Sequence, residues 1–229
     1  MEKRISRIEI RAVSRDGEEK RTDEVIHEQE VIVRIDKEIR KFYCIPADLE
    51  EMIVGNLKST GINPSFCKIR KIADNEYAVD LLFVKGLIEN LQKCESGKTL
   101  TSKEVFNSIE MLNANDFLHK ETRGTHIIGI CGGREIFVED ISRHCAIDKA
   151  VGLAIKDGIN LSHSFLVTSC RQTASSIKKA IFCGIPIVIS IAAPTDLAVK
   201  EANEYGITLI GFADSKRFNI YSHDWRIHT

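Results

Sequence analysis

Pro186-Ile187-Val188-Ile189-Ser190-Ile191-Ala192 is apolar at nearly every position. A strand with one wet face alternates, so a strand without alternation is covered on both faces. Working outward, Thr173 to Cys183 reads as a helix closed by Gly184, and Thr195 to Tyr205 as a helix closed by Gly206. Ser164 to Ser169, Ile207 to Phe212 and Phe218 to Tyr221 read as further strands. Upstream, Ser142 to Lys156 carries a helical apolar stripe and ends near Gly158, and Thr125 to Cys131 and Glu135 to Val138 flank Gly132-Gly133 as a hairpin. Alternating β and α units of this length predict a three-layer α/β/α sandwich on a largely parallel sheet.

The first ~90 residues read as a smaller N-terminal α+β region. Ile5 to Val13, Glu30 to Ile35, Phe66 to Ile72 and Tyr77 to Phe83 are strand-like, and Ala47 to Leu57 reads as a helix after Pro46. A polar connector follows, and Ser102 starts an amphipathic helix with Val105, Ile109 and Leu112 on its apolar face. The expected division is 1–88, a connector 89–122, and a core 123–229. No internal repeat or low-complexity segment is present.

The 229 residues are 43% hydrophobic, enough for a proper core. No apolar run reaches the ~18 residues of a membrane span. Met1-Glu2-Lys3-Arg4-Ile5-Ser6 is charged and has no apolar signal segment, which predicts a cytoplasmic protein. Net charge is -1, so no global field attracts nucleic acid and any anion site is local. The seven cysteines are odd in number and none has C-x-x-C spacing, which argues against a disulfide framework or a structural zinc site. Most read as small buried hydrophobes.

In open α/β sheets ligands collect at the carboxyl ends of strands. That rule selects the loops carrying Glu139 to His144, Ser169 to Gln172, Ala193 to Thr195 and Phe212 to Arg217. They bring Arg143, His144, Arg171, Lys216 and Arg217 toward one region. Helix starts at Ser142, Thr173 and Thr195 add N–H donors, so a phosphate-bearing, nucleotide-like ligand is expected. Glu139, Asp140, Arg143, His144, Asp148 and Lys149 crowd one helix start, as a ligand site would require. The alternative for any of these charges is an ion pair or a helix cap. His119, His163, His223 and His228 read as surface residues, Trp225 as a packing anchor, and Lys178-Lys179 as a solvated face.

Glu139 to Lys149 resembles the signature of the formate dehydrogenase accessory sulfurtransferase (FdhD/NarQ) family, which is close to E-D-V-G-R-H-N-A-L-D-K. Gly124-Thr125-His126 is similar to the family's G-T-H, and Ser169 to Thr173 sits where the family has S-G-R-A-S. Ala193-Pro194-Thr195-Asp196-Leu197-Ala198-Val199 is similar to A-P-T-S-L-A-V, and Leu209-Ile210-Gly211-Phe212 with Arg217 and Tyr221 to its L-V-G-F…R…Y ending. Ile45 to Glu51 with Val54-Gly55 resembles its N-terminal helix, so the likeness spans roughly residues 25 to 222.

The resemblance implies a cytidine-deaminase-like core. It implies sulfur accepted from a cysteine desulfurase as a cysteine persulfide. It further implies delivery of that sulfur to a molybdenum or tungsten bis-pterin guanine dinucleotide cofactor, the client of a formate dehydrogenase. Phe212, Ala213, Asp214, Ser215, Lys216 and Arg217, with Thr125, His126, Arg143, His144, Arg171 and Thr195, would hold that cofactor. His126 and His144 would move protons or orient a phosphate or guanine edge. The scaffold suits a homodimer, and neither nucleic acid nor a membrane is an expected partner. A zinc deaminase needs H-x-E and P-C-x-x-C; His126 is followed by Ile127-Ile128 and no P-C-x-x-C exists, so no catalytic zinc is expected.

The main departure is in the sulfur-carrying loop, where the family places C-x-x-C before a glycine. This connector has only Cys94. Either Gly97 replaces the second cysteine or Leu91 replaces the first. One thiol can carry a persulfide, but a resolving thiol is then missing. Lys93 and Lys98 flank Cys94 with positive charge and Glu95 with negative. Ser142 and Cys145 replace the signature's Gly and Asn, and Cys170 replaces a Gly. These two cysteines are extra sulfur acceptors or, more commonly for such thiols, buried ones. Two rivals to a persulfide carrier on Cys94 remain: a cofactor-binding chaperone or insertase without sulfur transfer, and a nucleotide-modifying enzyme on the same scaffold.

Overall fold

The computed structural model describes residues 4–82 and 84–229. Met1-Glu2-Lys3, read above for a signal, and Phe83, the expected end of a strand, lie outside the described residues. Ile5–Ser14 (β1) and Gly17–Ile26 (β2) form an antiparallel hairpin. The sequence does not announce β2, because it is mostly charged and exposed and has no apolar alternation. Gln29–Ile35 (β3), Glu38–Cys44 (β4), Leu49–Ser59 (α1), Cys67–Ala73 (β5) and Glu76–Leu81 (β6) follow. They make a second sheet in the order β4-β3-β6-β5, with β3 parallel to β6. Val31, Val33, Ile35, Tyr77 and Val79 pack from it against Leu49, Met52, Ile53 and Leu57 of α1. The helix starts at Leu49 rather than Ala47, because Asp48 before it sits at φ 53 in the left-handed region.

The rest of the chain is Leu100–Thr101 (β7), Ser102–Ala114 (α2), Leu118–Thr122 (α3), His126–Cys131 (β8), Ile136–Asp140 (β9), Arg143–Lys156 (α4), Phe165–Thr168 (β10), Ala174–Cys183 (α5), Ile187–Ser190 (β11), Asp196–Tyr205 (α6), Thr208–Gly211 (β12), Asn219–Ser222 (β13) and Ile227–His228 (β14). The main sheet runs β13-β12-β11-β10-β8-β9. Only β10, β11 and β12 are mutually parallel; β8, β9 and β13 run antiparallel to their neighbours. The sheet is therefore mixed, a correction to the largely parallel expectation. The connections explain it, since parallel neighbours need a crossover of a dozen or more residues and the loops into β9 and β13 are too short to carry one.

Successive residues of the central strands point to opposite, equally dry faces. Leu166, Val188 and Leu209 meet Ala146, Ala150, Ile177, Ala180 and Ala198 of α4, α5 and α6. Phe165, Val167, Ile187, Ile189 and Ile210 meet Val105, Ile109 and Leu112 of α2. This two-sided cover is why Pro186 to Ala192 lacks alternation.

The N-terminal part is keyed into the main sheet's helix layer. α1 lies on α4 so closely that a Cβ on Gly55 would be 1.8 Å from the Asp148 carbonyl oxygen, and one on Gly152 1.8 Å from that of Glu51. Around this crossing, Asp148 accepts hydrogen bonds from Asn56 (2.8 Å), Ser59 (2.6 Å) and Lys179 (2.5 Å). Lys149 donates to Asp140 and to the Ile45 carbonyl, both at 2.6 Å. Lys179 is thus a buried ion-pair partner, which corrects its reading as part of a solvated face; Lys178 does stay outside, paired with Glu201. Such pairs are fully desolvated, so they tolerate neither partner being removed.

Candidate functional site

The charges crowded around the start of α4 divide into two sets. Glu139 caps α3, accepting from the backbone N–H groups of Phe117 (3.0 Å), Leu118 (2.8 Å) and His119 (2.8 Å) and from the Thr125 hydroxyl (3.1 Å). Asp140, with Lys149, and Asp148, with Lys179, form the buried pairs just described. The whole cluster therefore does not face a ligand, as its crowding had suggested; four of its charges hold the fold. Arg143 and His144 are the remainder. Arg143 Nε and His144 Nδ1 are buried and, among the described residues, have no hydrogen-bond partner. Burial, reinforced by Lys179 and Arg143, lowers the His144 pKa. Burial and then Arg143 do the same at His126, so the surroundings of both imidazoles favour the neutral form.

The neighbouring loops are tied to one another. The Gln172 N–H donates to the Ala193 carbonyl (3.1 Å), and the Thr195 N–H to that of Gln172 (2.9 Å). The Thr195 hydroxyl then caps α6 by accepting from Ala198 N (3.3 Å). Arg171 is exposed and Cys170 buried. In the last loop, Phe212 is held at φ 52, a strained value for a non-glycine residue, and its N–H donates to the Ala192 carbonyl (3.2 Å). Ala213 is buried, with its N–H on the Ser190 carbonyl (3.1 Å). Asp214 accepts from Lys216 N (2.7 Å) and Arg217 N (2.9 Å), and these bonds hold its carboxyl below the usual range. Ser215, Lys216 and Arg217 project outward. All these loops follow β10, β11 or β12, so His126, Arg143, His144, Arg171, Thr195 and residues 212–217 share one end of the sheet.

Cys94 is at the other end. Its segment, residues 89–99, has no helix or strand and runs past the entries to β10, β11 and β12. The Cys94 N–H donates to the Tyr205 carbonyl (2.8 Å), and the Ser96 hydroxyl to that of Ser162 (2.5 Å). Buried Arg226 donates to the carbonyls of Gly206 (2.9 Å), Ser96 (3.2 Å) and Cys94 (3.4 Å). Half-buried Cys94 lines a cleft of ≈ 480 Å³ with Lys58, Glu89, Lys93, Ser162 and Cys183. The length of β12 and its flanks puts about 15–20 Å between this thiol and the loop cluster. The structure thus brings the candidate nucleotide residues together and leaves Cys94 apart from them. Arg226 and Lys58 carry no motif, so nothing in the sequence points to them. Trp225, expected as a packing anchor, is 53% exposed and lies against the Arg226 guanidinium (4.1 Å).

Cys44, Cys131, Cys145, Cys170 and Cys183 are buried. Burial pushes the Cys131 and Cys183 thiols up to about 12. Among the described residues no three His, Cys, Asp or Glu side chains gather as a metal site requires, and no helix is long and apolar enough to cross a membrane.

Residues 81–228 match the model of the FdhD/NarQ family. The chain is 31% identical to a sulfur carrier protein FdhD of Methanothermobacter thermautotrophicus, over 96% of this chain and 98% of that one. It is 31% identical to the sulfur carrier protein FdhD of Bacillus pumilus, over 90% and 91% of the two chains. The fold matches a crystal structure from Desulfotalea psychrophila, described as a formate dehydrogenase accessory protein, with a TM-score of 0.85 at 22% identity over 97% and 99% of the chains.

Proposed function

Because the chain belongs to the FdhD/NarQ family, we propose that it is a sulfur carrier serving a formate dehydrogenase, with Cys94 as the carrying residue. One observation carries the assignment to Cys94: this thiol lies on the irregular connector and lines a cleft, whereas five of the other six are buried. The Cys94 thiolate attacks the outer sulfur of a cysteine desulfurase persulfide. A new S–S bond forms on Cys94 and the desulfurase thiolate departs, so the transfer needs no external oxidant. Lys58 and Lys93 line the same cleft together with Glu89 and Glu95, and Lys58 is paired with Glu89 (2.5 Å).

The sulfur's destination is a molybdenum or tungsten bis-pterin guanine dinucleotide, which this chain handles as substrate. Residues 212–217, with Thr195, Arg171, His126, Arg143 and His144, would hold its phosphates and guanine. The fit rests on the two buried nitrogens of Arg143 and His144 that lack partners among the described residues, and on the exposed Arg171, Lys216 and Arg217 at the same end of the sheet. Thr125 contributes to this group only through Glu139, to which its buried hydroxyl is bonded. We read the mixed sheet with helices on both faces as the cytidine-deaminase-like core, working as a homodimer in the cytoplasm.

Intact-mass measurement after incubation with a cysteine desulfurase and cysteine tests the assignment. The chain should gain about 32 Da. Cys94→Ala should lose that gain and still bind GDP. Unchanged sulfur uptake in the variant would remove Cys94 from the role. The separation of Cys94 from the loops favours one second reading, a cofactor-binding chaperone or insertase. It predicts GDP binding with no gain of sulfur in the wild type.

A further inference from the structure

Arg226 is 1% exposed, and among the described residues no carboxylate accepts from it. Its guanidinium donates to neutral oxygens instead. Nη1 reaches the Gly206 carbonyl (2.9 Å) and the Thr208 hydroxyl (3.2 Å). Nε and Nη2 both reach the Ser96 carbonyl (3.3 and 3.2 Å), and Nη2 also reaches that of Cys94 (3.4 Å). Buried charges are ordinarily paired, because neutral acceptors offset only part of the hydration that is lost. Stability alone therefore does not explain this cation, and one of its acceptors is the backbone of the thiol-bearing residue itself. Two more contacts fix Cys94. Its N–H donates to the Tyr205 carbonyl (2.8 Å), and a Cβ on Gly206 would lie 3.0 Å from its carbonyl oxygen. The chain just before it is different, since no described residue hydrogen-bonds to residues 90–93. Cys94 is thus the point at which an untied stretch of the connector becomes an anchored one.

We propose that Arg226 is the positioning residue of the sulfur-carrying site, holding Cys94 as a fixed station in its cleft to which the donor must bring its sulfur. That role rests on the sulfur-carrier reading of Cys94. In the transfer, the Cys94 thiolate attacks the outer sulfur of the donor persulfide. A new S–S bond forms on Cys94 as the donor's S–S bond breaks, and the donor thiolate that leaves takes up the proton that the Cys94 thiol gave up. The attacking, transferred and leaving sulfurs must be aligned, and a misplacement of about 1 Å costs on the order of 100-fold in rate. Residues 89–99 have no helix or strand to supply that precision. The guanidinium supplies it, because its planar fork fixes the Cys94 and Ser96 carbonyls from one rigid group, which an ammonium cannot do. The Ser96 hydroxyl, bonded to the Ser162 carbonyl (2.5 Å), ties the far side of the same stretch. A thiol anchored in this way does not swing out to meet a partner. The donor it fits is therefore a protein whose persulfide lies on an extended segment that can enter the cleft of ≈ 480 Å³.

Single-turnover transfer tests this. The full chain is mixed with a persulfide-loaded cysteine desulfurase at a series of concentrations, quenched, and followed by the gain of about 32 Da. Arg226→Lys should lower the limiting rate about 10- to 100-fold and leave the half-saturating donor concentration unchanged, since alignment suffers and docking does not. Arg226→Ala should fall at least as far. A wild-type limiting rate in Arg226→Lys, or a loss seen only as weaker half-saturation, would overturn the positioning role and leave the carrier reading standing. No gain of mass on the wild-type chain would overturn the carrier reading and the positioning role with it. Hydrogen exchange of the wild-type chain, resolved by NMR, tests the fixed station without any variant. The Cys94 amide should exchange at least 10-fold more slowly than those of residues 90–93, because it alone among them donates to a carbonyl. Equal exchange across 90–94 would overturn the fixed station even if sulfur is taken up.

Discussion

His126 and His144 make the loop end of the sheet sensitive to pH. Both pKa values are depressed, first by burial, with Arg143 adding to it at each and Lys179 at His144; Asp140 and Asp148 act weakly the other way. Between the depressed folded values and the unfolded value of about 6.5, the unfolded chain binds more protons. The stability from these neutral imidazoles is therefore complete above about pH 6.5 and is lost as pH falls through the folded values. The melting temperature should drop between pH 7.5 and 5.5, and His126→Gln or His144→Gln should flatten that slope. Equal slopes in wild type and both variants would show that other groups control it. At this scale the sequence singled out His126 and His144 through their motifs. It did not reveal that Glu139, Asp140, Asp148 and Lys149, in the same signature, are engaged in a cap and buried pairs.

Two glycines set the spacing at which α1 meets α4. Each lacks the side chain that would strike the other helix's backbone, 1.8 Å away in both cases. Gly152→Ala must push the helices apart, and overpacking of this kind costs about 1–3 kcal/mol or more. Chemical denaturation should show that loss for Gly152→Ala, whereas Gly133→Ala, with nothing within 4 Å of the added carbon, should stay near wild type. An unaffected Gly152→Ala would mean that the crossing is looser than described. Helix ends were legible where a glycine or a Ser/Thr cap marks them, as at Ser142, Gly184 and Gly206, because capping is local chemistry. β2 was not, because it rests on pairing with β1 rather than on an apolar face of its own.

At the scale of the whole molecule, Arg226 ties segments far apart in the chain. Arg226 joins the Asp224–Arg226 turn to the connector and to the entry of β12 through the carbonyls of Cys94, Ser96 and Gly206 and the Thr208 hydroxyl. Arg226→Ala leaves these acceptors buried and unsatisfied, which should cost on the order of 3 kcal/mol. Hydrogen exchange should quicken at residues 94–96, and Arg226→Lys should rescue only part, since an ammonium cannot reproduce the guanidinium fork. Unchanged exchange at 94–96 in Arg226→Ala would show that the connector is held by other contacts. The sequence by itself determined the order and kind of the main strands and helices between residues 125 and 222, the loops that follow the parallel strands, and the likeness to a family. Periodicity, capping and short motifs are properties of neighbouring residues, so they can be read along the chain. Only the tertiary structure decided which signature charges are buried in pairs, and that Cys94 and the loop cluster occupy opposite ends of the sheet. Those contacts join residues far apart in the chain, and whether a charge or a thiol is free or engaged depends on a partner that no local pattern records.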